Sequence, residues 1–213
     1  MTEEVWLGCD DVGDMVEHIG LAASARKVRL LGCACVRWAW EWGMGEPTPE
    51  AICVGEAFAD GVATAEEVSL AAREMNTEWR EHEEAYRPYP RTCEWTEMLL
   101  DTDARAWLGE LHPYTADMHI GDEPEWQGIV RFAHDIFGNP FRPVAFDPAW
   151  RSDTAVSLAK QMYESRDFDA MPILADALQD AGCDNADILN HCRDPQQTHV
   201  RGCWVVDLVL NKS

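Results

Sequence analysis

Apolar residues recur at three- and four-residue steps in the segment SARKVRLLGCACVRWAWEW, which begins at Ser24. The members of this stripe are Val28, Leu31, Cys35, Trp38 and Trp42. Such spacing places them on one face of an α-helix. Ser24 can cap the helix at its start, and the glycines that follow Trp42 end it. The pattern predicts an amphipathic helix with one buried face.

Similar signals predict further helices along the chain. Proline in the first turn starts one at Pro49, and Thr64 with Glu67 forms a capping box for a long polar helix that reaches about Tyr86. Other helices are predicted over residues 95–111, 124–137, 153–164, 167–181, 185–193 and 198–210. In the last of these, WVVDLVL also has strand propensity, but a cap at Thr198 favours a helix. The sequence therefore predicts an all-α protein, a globular bundle of about eight to nine helices.

A proline-rich segment, GNPFRPVAFDP, interrupts these helices at residues 138–148. It predicts a strap that lies over a neighbouring surface, with Arg142 donating hydrogen bonds to loop carbonyls or to Asp147. We expect an acidic N-terminal helical part over residues 1–138 and a compact C-terminal helical unit over residues 139–213. The two parts are either separate or one continuous domain.

The chain is strongly acidic, with 39 acidic residues, 17 basic ones and a formal net charge of −22. A field of that sign argues against direct binding to nucleic acid or to an anionic membrane, and it favours a basic protein partner or simply solubility. The N-terminus has no apolar signal-peptide region, and no run is long enough to span a membrane. We therefore expect a cytoplasmic protein whose eight cysteines are reduced.

Cysteine and histidine cluster in the stretch AGCDNADILNHCRDPQQTHVRGCWVVD near the C-terminus. On the predicted helix over 198–210, His199 and Cys203 lie one turn apart on the same face. Together with Cys183 and Cys192 they make a candidate tetrahedral zinc site, in which His191 can substitute for Cys192. Alternatively, the cysteines are small core residues and the histidines cap helix ends. Zinc is the only cofactor that the sequence suggests.

An acidic stretch between residues 66 and 97 includes the aromatic residues Trp79, Tyr86 and Trp95. Exposed aromatic side chains in an acidic field suit the capture of a basic protein. The candidate partner-binding residues are Trp79, Glu83, Glu84, Tyr86 and Trp95. The alternative is a self-contained amphipathic helix, in which nearby arginines pair with the glutamates.

Evidence for catalysis is weak, and no catalytic residue is assigned. The pair His134-Asp135 would permit acid–base chemistry, but such pairs are common by chance. None of the motifs GxSxG, HExxH, GxGxxG or the Walker loop is present. Cys192 beside His191 is the nearest candidate nucleophile, and adjacency in sequence is poor support for it. The question of an enzyme stays open, with a non-enzyme favoured.

Two blocks of the chain resemble a large uncharacterised bacterial family. The N-terminal block is EEVWLGCDDVGDMVEHI followed by SARKVRLLGCACVRW. The C-terminal block is DIFGNPFRPVAFDPAW, MPILADALQDAGCDNADILNHCR and HVRGCWVVDLVLNK. The resemblance implies a bacterial, intracellular protein with a reusable C-terminal block. It implies no activity, cofactor or catalytic residue.

The function expected from the sequence is non-catalytic, intracellular binding or regulation of another protein through an acidic helical surface. Two alternatives remain. One is a metal-binding protein or metalloenzyme built on the C-terminal cysteine and histidine cluster. The other is an acidic inhibitor, of the immunity-protein type, that neutralises a basic enzyme or toxin.

Overall fold

In the computed structural model, residues 1–10, 12–19, 23–41, 49–81, 100 and 127–212 are described. Within these ranges the regular secondary structure is entirely helical, which confirms the prediction of an all-α protein. The α-helices are α1 (Glu3–Leu7), α2 (Val12–Ile19), α3 (Ala25–Glu41), α4 (Pro49–Ala59), α5 (Ala65–Glu81), α6 (Gln127–Phe137), α7 (Asp153–Ser165), α8 (Met171–Asp180), α9 (Ala186–Arg193) and α10 (Trp204–Leu210). A short 3-10 helix spans Pro148–Trp150.

The chain divides into two compact units. The first unit contains Met1–Asp10 and Pro124–Ser213, and the second contains Asp11–Glu123. The boundary suggested by the sequence, after residue 138, therefore falls inside the first unit. Helices α1 and α6 belong with the C-terminal helices because their buried side chains, among them Trp6 and Ile136, pack in that unit.

In the second unit, α3 packs against α4 and α4 against α5. Val28, Leu31 and Cys35 of the predicted stripe are buried, but so is every other residue between Val28 and Val36. Over this stretch α3 is buried on all sides, so the prediction of a single buried face is wrong. At the same interface Arg37 pairs with the buried Glu56 at 3.1 Å. The pairing is required because a buried carboxylate without a partner is costly.

Both predicted caps of the second unit are present. The Ser24 hydroxyl accepts a hydrogen bond from the Lys27 amide. The Thr64 hydroxyl accepts one from the Glu67 amide, and the Glu67 carboxylate accepts one from the Thr64 amide at 2.7 Å. Each of these bonds satisfies an amide that a helix start leaves without an intrahelical partner.

The core of the first unit lies among α7, α8, α9 and α10. Its fully buried large side chains are Met162, Met171, Leu174, Leu178 and Ile188. Burial of each contributes roughly 1.5–3 kcal/mol to folding. The caps fix where α7 and α9 start, because Ser152 accepts a bond from Ala155 and Asn185 accepts one from Ile188.

Two predicted helix starts are wrong. The helix expected over 198–210 begins only at Trp204, with Cys203 as its N-cap. Gly202 has φ +100°, a conformation that a right-handed helix cannot contain, so residues 198–203 form a non-helical segment instead. The helix expected over 167–181 begins at Met171, because Pro172 suits only the first turn of a helix.

The strap bonds to a different partner from the one predicted. Arg142 forms an ion pair with Glu3 rather than a bond to Asp147. Glu3 also accepts a hydrogen bond from the Asn139 side-chain amide at 2.8 Å. Asp147 caps the 3-10 helix, where its side chain accepts a hydrogen bond from the Ala149 amide. The start of the strap is thereby held to α1.

No helix among the described residues is both long enough and apolar enough to cross a bilayer.

We predict that Asn185→Ala lowers the free energy of unfolding by about 1 kcal/mol, because it removes the side-chain cap of α9. Urea unfolding followed by circular dichroism measures this loss. The matched control is Asn190→Ala at an exposed position of the same helix, where a change within about 0.5 kcal/mol is expected. Equal losses in the two variants would contradict the role assigned to the cap.

Candidate metal centre

Four metal-ligating side chains meet in the first unit. Asp135 comes from the C-terminal half of α6 and His191 from the last turn of α9. His199 lies in the non-helical segment 194–203, and Cys203 is the N-cap of α10. One donor atom from each residue lies within 4.8 Å of every other. Elements far apart in the sequence therefore converge on one small volume.

Four of the six donor–donor distances in this group are close to those around a tetrahedral ion, and all six are within 4.8 Å. Asp135 Oδ1 lies 2.8 Å from His199 Nδ1 and 3.1 Å from His191 Nε2. The Cys203 Sγ lies 3.3 Å from His191 Nε2 and 3.9 Å from His199 Nδ1. Zinc–ligand bonds of ordinary length place tetrahedral nitrogen and oxygen ligands about 3.3 Å apart, and nitrogen and sulfur about 3.6 Å apart. Each observed distance is within about half an ångström of these values.

The imidazoles point inward with one nitrogen each. His191 Nε2 contacts both the carboxylate and the thiol, and His199 Nδ1 does the same. A nucleophilic relay needs the opposite arrangement, in which one ring nitrogen faces the acid and the other faces the thiol. Convergence of single nitrogens is instead typical of metal coordination.

Asp135 is fully buried, at 0% exposure. Burial alone would raise the pKa of its carboxyl. The hydrogen bonds and charges of His191 and His199 outweigh burial, so the pKa of Asp135 lies below its usual value. The Val200 amide also donates to Asp135 Oδ2 at 2.8 Å. The carboxylate is thus ionised and fixed in orientation.

Cys203 is equally buried, and its thiol is not activated. Burial first, and the Asp135 charge second, raise the pKa of Cys203 well above that of a free cysteine. A protonated, enclosed thiol is a poor nucleophile. A bound dication would reverse this effect, because a coordinating thiol loses its proton.

Aromatic rings and apolar packing enclose the centre. The side chains of His191 and His199 are only 11% and 7% exposed. The Trp204 ring lies 5.1 Å from the His191 ring, and the Phe168 ring lies 6.2 Å from the His199 ring. Four protein donors in a closed volume are the arrangement of a structural site, whereas catalytic zinc sites keep a position open for water.

The structure brings together part of the donor set predicted from the sequence. His199 and Cys203 are in the group, together with His191, the predicted substitute ligand. Cys183 and Cys192 are buried in the apolar core of the same unit and lie outside the four-donor group. Asp135, the fourth member of the group, is not among the ligands predicted from the sequence. The sequence feature that could have indicated Asp135 is an aspartate beside buried apolar residues, such as Ile136, on an amphipathic helix.

The residues predicted to bind a partner cannot be placed in the same way. Trp79 lies in the last turn of α5, and its side chain is outside the described part of the structure. Glu83, Glu84, Tyr86 and Trp95 lie outside the described residues. The acidic binding surface therefore stays a prediction of the sequence.

No family model, curated protein or solved structure matches the chain. The resemblance to a bacterial family stays a prediction of the sequence.

We predict that iodoacetamide at neutral pH modifies Cys53 and leaves Cys203 unmodified in the folded protein. Cys53 is exposed, whereas Cys203 is buried with a raised pKa. Mass spectrometry of the digested protein measures both sites, and alkylation in denaturant is the control that both thiols can react. Native labelling of Cys203 as fast as that of Cys53 would instead favour an accessible, nucleophilic thiol.

Proposed function

We propose that this chain is a zinc-binding protein whose first unit is organised by one closed, tetrahedral metal centre. The ligands are Asp135 through Oδ1, His191 through Nε2, His199 through Nδ1 and Cys203 through Sγ. The observation that carries the proposal is the convergence of two imidazole nitrogens on one buried carboxylate oxygen, with the Cys203 thiol 3.3 Å from one of those nitrogens.

The charges of the donor set support a divalent ion. One carboxylate and one thiolate supply two negative charges, and the two histidines bind metals as neutral rings. A dication bound to these four ligands is therefore neutral overall, which lowers the cost of burying the site. The mixture of nitrogen, sulfur and oxygen donors suits zinc, whereas magnesium and calcium prefer oxygen alone.

The role that this geometry supports is structural. The centre would connect α6, α9, the segment 194–203 and the start of α10. The segment 194–203 supplies His199 and leads directly into Cys203, without regular helical structure between them. Metal binding would therefore contribute directly to the folding free energy of the first unit.

We predict that protein purified without a histidine tag or chelator contains about one equivalent of zinc by elemental analysis. Asp135→Ala, His199→Ala and Cys203→Ala should each lose it, because each removes one of four ligands. The matched control is Cys183→Ala, which removes a buried thiol outside the group and should retain the metal. Circular dichroism confirms that each variant is folded.

The Cys183→Ala and Cys192→Ala variants together separate the donor sets. Retention of zinc in both supports the set with Asp135. Loss of zinc in a folded Cys183→Ala variant would favour the set predicted from the sequence, whether its fourth ligand is Cys192 or the substitute His191. Wild-type protein that binds no zinc, even after apoprotein is titrated with the metal, would contradict the proposed function. Cobalt substitution adds an independent readout, since the proposed site predicts tetrahedral visible bands and one thiolate charge-transfer band.

A further inference from the structure

The N-terminal segment, residues 1–10, is held in the first unit by the buried Trp6. The Trp6 indole donates its Nε1–H to the carbonyl oxygen of Gly138 at 3.1 Å. The Trp6 ring also meets the His134 ring edge to face, with centroids 5.4 Å apart. Trp6 itself is 0% exposed. One side chain thus fixes the segment to the C-terminal end of α6.

Gly138 connects Trp6 to a second tryptophan. It has φ +65°, and a Cβ atom at this position would lie 3.2 Å from Cγ of Trp204. Two further atoms of that indole would lie 3.3 Å from the same Cβ, so the Trp204 ring lies directly on the glycine backbone. The glycine is required both for its left-handed conformation and for this close approach.

Trp204 in turn contacts the metal centre. The Trp204 ring lies 5.1 Å from the His191 ring, and Trp204 directly follows Cys203 in the chain. A second route runs through α6, where His134, in contact with Trp6, directly precedes Asp135. Both routes join the N-terminal segment to residues that hold the four donor atoms.

We propose that docking of the N-terminal segment positions the ligands of the metal centre, so that segment docking and metal affinity are coupled. This inference rests on the proposed function, because it assigns regulation to the same site. Trp6 and Trp204 are positioning residues: they do not touch the ion, but they fix the orientation of His191 and the backbone beside Asp135. Release of the segment weakens metal binding, and metal binding favours the docked segment by the same factor.

The expected size of the coupling is taken from other metal sites, where the loss of a ligand-orienting group changes metal affinity. Groups that orient metal ligands typically change metal affinity by about 10–100-fold when they are removed. The ion pair of Glu3 with the exposed Arg142 and its part-buried hydrogen bond with Asn139 are less enclosed than Trp6, so they add less to docking than Trp6 does. Trp6 is therefore the residue to test.

We predict that Trp6→Ala weakens zinc binding by about 10-fold or more in the full-length protein. The dissociation constant is measured by competition with a chromophoric zinc chelator, and circular dichroism reports whether the variant is folded. Trp6→Phe, which keeps a ring and loses the bond to Gly138, should have an intermediate effect. The matched control is Trp150→Ala in the same unit, where the ring packs on Phe146, and its affinity should stay within about twofold of wild type.

Gly138→Ala tests the contact between the backbone of Gly138 and the Trp204 ring. Its Cβ would displace the Trp204 ring, so zinc affinity should fall by about 10-fold. Gly182→Ala is the matched control, because Gly182 has φ +92° in the same unit and a Cβ there meets no atom within 4 Å. Like Gly138→Ala, the Gly182→Ala variant places an alanine at a positive φ, but its Cβ does not contact Trp204.

The outcomes distinguish this inference from the proposed function. Weakened zinc binding in Trp6→Ala and Gly138→Ala, with both controls near wild type, supports the coupling. Zinc bound at wild-type affinity by Trp6→Ala, or by Trp6→Phe if the alanine variant does not fold, overturns the coupling and leaves the metal centre standing. Wild-type protein without zinc affinity overturns both.

Discussion

The first unit depends on a buried carboxylate. Asp135 lies among apolar side chains on α6 and is closed to solvent. A carboxylate in such a place is tolerated only when charged or hydrogen-bonding partners surround it. His191, His199 and the Val200 amide are those partners. Because they come from α9 and from the segment after it, satisfying one carboxylate fixes how α6, α9 and that segment meet.

That requirement explains why an irregular segment lies at the centre of a helical unit. Residues 194–203 must turn sharply enough to direct the Val200 amide and the His199 ring toward Asp135, which Gly202 at φ +100° permits. A helix starting at residue 198 would not allow this. A metal ion in place of the histidine–carboxylate hydrogen bonds would hold the same geometry more strongly, since it replaces shared protons with bonds to each donor.

Much of the fold follows from local sequence patterns, and only part of the site does. The helix α3 and the caps at Ser24 and Thr64 are determined within one or two helical turns, so the sequence predicts them correctly. The burial of α3 on all sides over residues 28–36 depends on tertiary packing, and the apolar stripe did not predict it. Cysteine and histidine are rare residues that cluster here, so the sequence predicts Cys203 and His199 as candidate ligands. Asp135 lies 64 residues before His199, and aspartate is a common residue, so only the tertiary structure places it in the same group. The predicted helix over 198–210 also places His199 and Cys203 on one helical face. In the structure His199 lies in a non-helical segment and Cys203 is the N-cap of α10.

X-ray absorption spectroscopy at the zinc edge of the purified, metal-loaded protein identifies the ligands of the proposed centre. We expect four ligands, with one sulfur at about 2.3 Å and three nitrogen or oxygen atoms at about 2.0–2.1 Å, together with the scattering pattern of two imidazoles. Two or three sulfur ligands would contradict this ligand set and point to Cys183 or Cys192 as donors. Six oxygen or nitrogen ligands without sulfur would show that the ion binds elsewhere.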